Sequence, residues 1–247
     1  MRLSQSWIVA SKDFATFLKK RNIISTIFVI PLLVSFLLPG VIWYVLHQSQ
    51  GGISPSELVV LMPAFTFFYL ILAGLIPTTI ASYSIVGEKV EKSLEPLLAT
   101  PTTDAEILFG KGLAAFVLPV ASIVCGAALF MGLTDAFTRD SLGYYFFPNW
   151  NAAIVLFLMV PLANIISVEW NILVSSRVSD VRIAAQIGSL LLIPYGGVYV
   201  AGELDVIPLG DTNTLLMIAG VIALIGLLLL FVVRATFRRE EILTKWK

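Results

Sequence analysis

Six long apolar stretches limit what this chain can fold into. A hydrocarbon core about 30 Å thick is crossed by a helix of about 20 apolar residues. The stretches that meet this length are Ile23–Leu46, Leu58–Val86, Ile107–Leu133, Ala152–Val174, Ile183–Val200 and Thr214–Val233. Only 13% of the residues are charged, against roughly 25% in soluble domains. We therefore predict an all-α polytopic membrane protein with six transmembrane helices, forming a single membrane domain over residues 1–247.

The basic residues predict how the chain sits in the membrane. Six spans place both termini on one side, and Lys and Arg concentrate on the cytoplasmic side. Of the 16 Lys and Arg residues, all except Arg139 fall in the terminal segments, in the second-to-third and fourth-to-fifth connections, or, in the case of Lys111, at the adjoining start of the third span. We expect a multi-pass protein of the cell (plasma) membrane with both termini cytoplasmic, including a tail over residues 234–247. The first span is too long for a cleaved signal peptide, so we expect it to be retained.

Residues 1–22 show an amphipathic pattern ahead of the first span. Apolar residues recur there at helical spacing, and they are Trp7, Ala10, Phe14, Phe17 and Leu18. Charged and polar residues lie largely elsewhere on the helical wheel, and they are Lys12, Asp13, Thr16, Lys19 and Lys20. This pattern predicts a helix that lies in the membrane interface. The alternative is a leader with no fixed position.

Cysteine, histidine and phosphate-loop patterns argue against chemistry on this chain. Cys125 and His47 are the sole residues of their types, so neither a disulfide, a cysteine-based metal site nor a histidine-dependent catalytic centre is expected. The G-x-x-x-x-G-K-[ST] pattern that cradles phosphates does not occur. The Gly-Lys pair within residues 109–114 lacks that spacing and opens a span. We therefore expect no catalytic residue, metal or cofactor on this chain.

Glu169 is the single acid inside a predicted span, in the fourth helix, with Asn164 and Asn171 nearby. An ionisable group at that depth is costly and usually faces protein or water. Two roles stay open for these three residues: contact with a transported substrate or ion, and a structural role in helix packing. An intramembrane enzyme would need a second catalytic group at the same depth, and the sequence offers none.

An acid-rich segment, residues 87–106, interrupts the apolar sequence between the second and third spans. Ser93 suits the start of a short helix, in which Leu94 and Leu97 share one face and Glu91 and Glu95 another. Pro101 stops that helix, and Thr103-Asp104-Ala105-Glu106 is a capping box that opens the next span. A passive connector would be shorter and more basic on this side of the membrane. The segment therefore favours a docking helix, with a solvated connector as the alternative.

This segment resembles the signature region of the ABC-2 type permeases, the membrane subunits of one class of ABC transporters. The matching residues are Glu88, Lys89, Ser93, Leu94, Glu95, Leu97, Leu98, Thr100 and Pro101, followed by Ile107, Leu108, Gly110 and Lys111. Val90 stands where the family often has an acid, and Ser93 where Thr is common. The layout of leader, six spans, short outside loops and basic tail is similar to the family over the whole chain.

The resemblance implies a function and a set of contacts. The chain would be the permease subunit of an ATP-binding cassette transporter that moves its substrate by alternating access. Most transporters of this family are exporters, so export is the expected direction. ATP and Mg would bind a separate cytosolic ATPase subunit. The permease would form a dimer with itself or with a sister permease. It would also contact membrane lipids, and no nucleic-acid partner is expected. Residues 1–22 would be the elbow helix and 87–106 the coupling segment. The implied ATPase contacts are Glu88, Glu91, Ser93, Leu94, Glu95, Leu97, Leu98 and Pro101, with Arg177 and Asp180 in a second loop.

Three other functions remain open on sequence alone. A non-transporting sensor or assembly subunit could use the same coupling segment and would look the same in sequence. A channel would be expected to show polar stripes or charge rings along its spans, which this sequence lacks. An intramembrane enzyme is the least favoured, for want of a second catalytic group.

Overall fold

The computed structural model describes residues 3–48, 54–90, 100, 102–204 and 206–236. These residues form seven helices and no strand. The helices are α1 Leu3–Phe17, α2 Arg21–Leu46, α3 Pro55–Val90, α4 Asp104–Leu142, α5 Trp150–Arg177, α6 Val181–Glu203 and α7 Thr212–Thr236. Each helix from α2 to α7 contains a segment long and apolar enough to cross a membrane. The predicted all-α polytopic architecture with six spans is therefore confirmed.

The predicted capping box fixes the start of α4. The Thr103 side chain accepts a hydrogen bond from the Glu106 backbone N–H at 3.3 Å, and the Glu106 carboxylate accepts one from the Thr103 N–H at 2.9 Å. Together they satisfy two donors that the first turn of a helix leaves free. The helix runs past the predicted end at Leu133 and stops at Gly143, whose φ of 77° is the left-handed conformation that favours glycine.

Two spans depart locally from regular α-helix. In α5, residues Val155–Met159 form a π-helical segment directly before Pro161. Proline lacks an N–H donor and crowds the preceding turn, so a widened turn is a common accommodation. In α6, a 3₁₀ turn over Ser189–Leu191 joins two α-helical parts. The fifth span, which has the lowest mean hydropathy of the six, is therefore formed as a single broken helix.

Helices α3 and α5 form the centre of the bundle, and buried polar side chains hold them together. Asn171 of α5 donates to Thr78 Oγ1 of α3 at 3.2 Å and accepts from Ser82 Oγ of α3 at 3.0 Å. Gly188 of α6 packs so close to Asn171 that an added Cβ would collide with its amide. Because lipid offers no hydrogen bonds, such pairs between helices fix their register.

A second polar contact holds α2 against α4. The Ser35 hydroxyl lies 2.6 Å from the Gly126 carbonyl oxygen and 2.9 Å from the Tyr69 hydroxyl of α3. At Gly126, a Cβ would lie 2.9 Å from Ser35 Oγ and 3.0 Å from Pro31 Cβ, so the two helices meet where α4 has no side chain. Small residues allow this close approach in membrane bundles.

Replacing Gly126 with valine should therefore destabilise the bundle. The added side chain forces α2 and α4 apart, and overpacking of this kind costs about 1–3 kcal/mol. Thermal unfolding of the detergent-purified protein, followed by circular dichroism, measures the effect. Gly132→Val on the same helix is the matched control, because nothing lies within 4 Å of a Cβ there. Equal melting temperatures for the two variants would contradict the proposed close contact.

Candidate coupling site

Four charged side chains meet where α1, α3 and α4 come together, at the end of the bundle next to residues 91–101. Lys111 Nζ of α4 lies 2.7 Å from a carboxylate oxygen of Glu88 and 3.4 Å from Asp13 Oδ2 of α1. The second Glu88 oxygen lies 2.8 Å from Lys12 Nζ. We call Lys12, Asp13, Glu88 and Lys111 the ion cluster. It joins the last turn of α3, the second turn of α4 and the middle of α1.

Gly110 brings α1 close enough to α4 for the ion cluster to form. A Cβ at Gly110 would lie 2.6 Å from the Ser6 carbonyl oxygen and 2.8 Å from Val9 Cβ. Glycine is thus required where the two helix backbones meet. The adjacent residue, Lys111, is directed to the carboxylates between the helices. The Gly-Lys pair of the sequence motif therefore has two structural functions, close helix contact and charge pairing.

The ion cluster is largely removed from water. The Lys111 side chain is 1% exposed and that of Asp13 6%, whereas Lys12 reaches the surface. Burial raises the pKa of Asp13, and the Lys111 charge opposes that rise. The four formal charges sum to zero, and each carboxylate has at least one lysine beside it. Removing one partner of a buried ion pair strongly destabilises the fold, because the other charge stays buried without compensation.

Comparison with protein families gives one decisive match. The family model for the ABC-2 family transporter protein matches residues 7–205 of the 247-residue chain. The chain belongs to the ABC-2 transporter family. No curated protein sequence matches it. The match begins in α1 and ends just beyond α6, so the ion cluster lies entirely within the ABC-2 region.

Most of the predicted ATPase contacts of this ABC-2 protein lie outside the described residues. These are Glu91, Ser93, Leu94, Glu95, Leu97, Leu98 and Pro101. Glu88 is described, and its carboxylate is directed into the ion cluster. Glu88 thus lies in the last turn of α3, and its contact with an ATPase stays a prediction.

The second predicted contact is the short connection between α5 and α6. Arg177 and Asp180 are both exposed there. The Asp180 side chain accepts hydrogen bonds from the backbone N–H groups of Arg182, at 2.6 Å, and Ile183, and so caps the start of α6. Asp180 therefore has a local structural role, while the role of the loop in binding an ATPase stays a prediction.

The three polar residues predicted within the membrane occupy different settings. Asn171 is fully buried in its hydrogen bonds to α3, which favours the structural role. Asn164 is also fully buried, and its two amide heteroatoms have no hydrogen-bond partner among the described residues. Glu169 is partly exposed and borders a cavity that also includes Arg234. The three residues therefore do not form one site. Contact of any of them with a substrate stays a prediction.

Asp13 differs from its sequence-based placement. The helical wheel put it outside the apolar face of α1, yet it is buried on the face that packs against α4. The buried residues of α1 are Ser6, Val9, Ala10, Asp13 and Phe17. Trp7, by contrast, is 60% exposed. Trp7, the largest apolar side chain of α1, points away from the bundle, whereas the buried face includes the smaller Ser6 and Ala10 and one acid. A lysine placed two turns into an apolar span, Lys111, was the available signal for that acid.

Removing the shared cation should damage the structure more than removing one acid with it. Lys111→Met leaves the Asp13 and Glu88 carboxylates buried without their common partner, at a cost of about 3–5 kcal/mol. Adding Asp13→Asn removes one of those charges and should recover part of the lost stability. Unfolding midpoints in detergent measure both effects. Arg139→Met, which removes an exposed cation from the other end of α4, is the control. A double variant no more stable than Lys111→Met would refute this assignment.

Proposed function

We propose that this ABC-2 protein is the permease subunit of a transporter driven by a separate ATPase. The observation that carries the proposal is the ion cluster, because it lies directly at the base of the coupling segment and ties both of its flanking helices to α1. In this reading ATP and Mg bind the partner subunit, and the segment over residues 91–101 receives its motion. The family membership supports the permease assignment.

The cluster gives a physical route for transmitting that motion. Residues 91–101 are covalently joined to α3 and α4, and Lys111 holds the ends of these two helices together through Glu88 at 2.7 Å. Charge-assisted contacts in a water-poor setting resist separation more than exposed ones do. A push on the segment therefore moves the ends of α3 and α4 together, and moves α1 with them through Asp13.

Family membership and the charge pattern support the remaining features of the proposed mechanism. We propose that two six-helix chains, identical or sister permeases, pair and alternate between inward-open and outward-open states. Export is the proposed direction, because the sequence shows no sign of a dock for a binding protein. The clustering of Lys and Arg supports cytoplasmic termini, and with that orientation we propose that the ion cluster lies on the ATPase side. The alternative hypothesis, a non-transporting sensor subunit, has the same ATPase partner but moves no substrate.

Co-purification with the ATPase tests the proposal. The tagged chain should retain a cytosolic ATP-binding cassette ATPase in mild detergent, identified by mass spectrometry. Glu91→Ala with Leu97→Ala should lose that subunit, because these side chains belong to the predicted docking helix. Glu88→Gln should keep the subunit but reduce its stimulation by the permease several-fold, because the end of α3 then loses its charged contacts with Lys12 of α1 and Lys111 of α4.

Asp140→Asn is the matched control, since it removes an exposed acid at the opposite end of α4. ATPase rates of the complex and of the isolated ATPase give the stimulation for each variant. Recovery of the chain without any such ATPase, across several detergents, would overturn the permease proposal. Unchanged stimulation in Glu88→Gln would leave the partner in place but refute transmission through the ion cluster.

A further inference from the structure

A cavity of about 270 Å³ lies between α4, α5 and α7, on the side of α4 away from the ion cluster. Most of its wall is apolar. The side chains that define it include Leu108, Phe109, Ile165, Val168 and Leu230. Its volume suits part of one hydrocarbon chain rather than a large solute. It lies toward the end of the bundle that carries Lys111 and Arg177.

Two opposite charges from different helices border this apolar cavity. Glu169 comes from α5, and Arg234 comes from the last turn of α7. The Oε2 atom of Glu169 is buried and has no hydrogen-bond partner among the described residues. Arg234 is exposed. A carboxylate oxygen placed in this way needs a donor, because lipid hydrocarbon provides none.

We propose that the cavity binds a phospholipid whose headgroup carries a primary ammonium. One acyl chain lies against the apolar wall, the phosphate binds the Arg234 guanidinium, and the ammonium donates to Glu169. The guanidinium fork matches phosphate oxygens, and an ammonium supplies three N–H donors to a carboxylate. The two charges of the cavity thus complement the two charges of one zwitterionic headgroup.

This arrangement predicts a preference among lipids of similar shape. A choline headgroup carries the same charge but has no N–H, so it cannot hydrogen-bond Glu169. A glycerol headgroup keeps the phosphate and has no cation. Both should bind less well than the ethanolamine lipid. If a protein segment fills the cavity instead, lipid retention should not depend on the headgroup.

Native mass spectrometry of the purified chain tests the preference directly. The protein is exchanged into micelles with equal amounts of phosphatidylethanolamine, phosphatidylcholine and phosphatidylglycerol of identical acyl chains. We expect the wild type to retain the ethanolamine lipid roughly tenfold better than the other two, from one charge-assisted hydrogen bond. Glu169→Gln should abolish the preference between ethanolamine and choline lipids, and Arg234→Gln should lower retention of all three. Equal retention of all three lipids by the wild type, or an unchanged preference in Glu169→Gln, would overturn the proposal.

Filling the cavity without touching its charges provides a second test. A Cβ at Gly112 fits 3.9 Å from Val168 Cγ1, so a leucine there would extend into the space of the acyl chain. Gly112→Leu should therefore lose lipid of every headgroup several-fold while keeping its fold. Gly132→Leu on the same helix, with open space around its Cβ, is the control. Lipid retention that is equal in the two glycine variants would place the lipid elsewhere and refute the site.

Both tests use the isolated chain and measure lipid retention alone. Their outcomes are therefore independent of whether an ATPase partner is found.

Discussion

A lysine buried in the second turn of α4 sets the requirement that the surrounding structure satisfies. An ammonium group is costly to remove from water unless carboxylates lie beside it. Lys111 has two, Glu88 from the end of α3 and Asp13 from α1. Satisfying this one charge fixes the position of α1 against α4, requires Gly110 at their contact, and holds the ends of α3 and α4 together. The attachment of α1 to the bundle therefore depends on a few charged side chains and one glycine.

In the rest of the bundle, a few polar contacts add specificity to an extensive apolar core. Apolar side chains pack equally well against lipid and against other helices, so they specify register poorly. The Asn171 contacts with α3 and the Ser35 contact with Gly126 supply that specificity. Glycines at the closest approaches allow the backbones to meet. The proposed lipid site follows the same reasoning, because a buried carboxylate oxygen without a donor among the described residues calls for a complementary partner.

The number and type of the helices could be predicted from the sequence because span length is set by membrane thickness. The start of α4 could be predicted as well, since a capping box is a local pattern. The pairing of Asp13 with Lys111 could not, because it depends on which face of α1 meets α4. Large apolar residues such as Trp7 dominated the wheel, while the buried face combines Phe17 with smaller residues and an acid. Contacts between helices are tertiary information that periodicity does not carry.

The central claim is that α1, α3 and α4 stay joined at the ion cluster while the transporter works. Spin labels at Trp7→Cys and Phe137→Cys, both exposed positions, in a Cys125→Ser background report the distance between α1 and α4. Pulsed electron–electron double resonance on the ATPase complex should give the same distance distribution with and without trapped ATP. Lys111→Met should broaden that distribution. A distance between α1 and α4 that shifts with ATP in the otherwise unchanged protein would contradict the account.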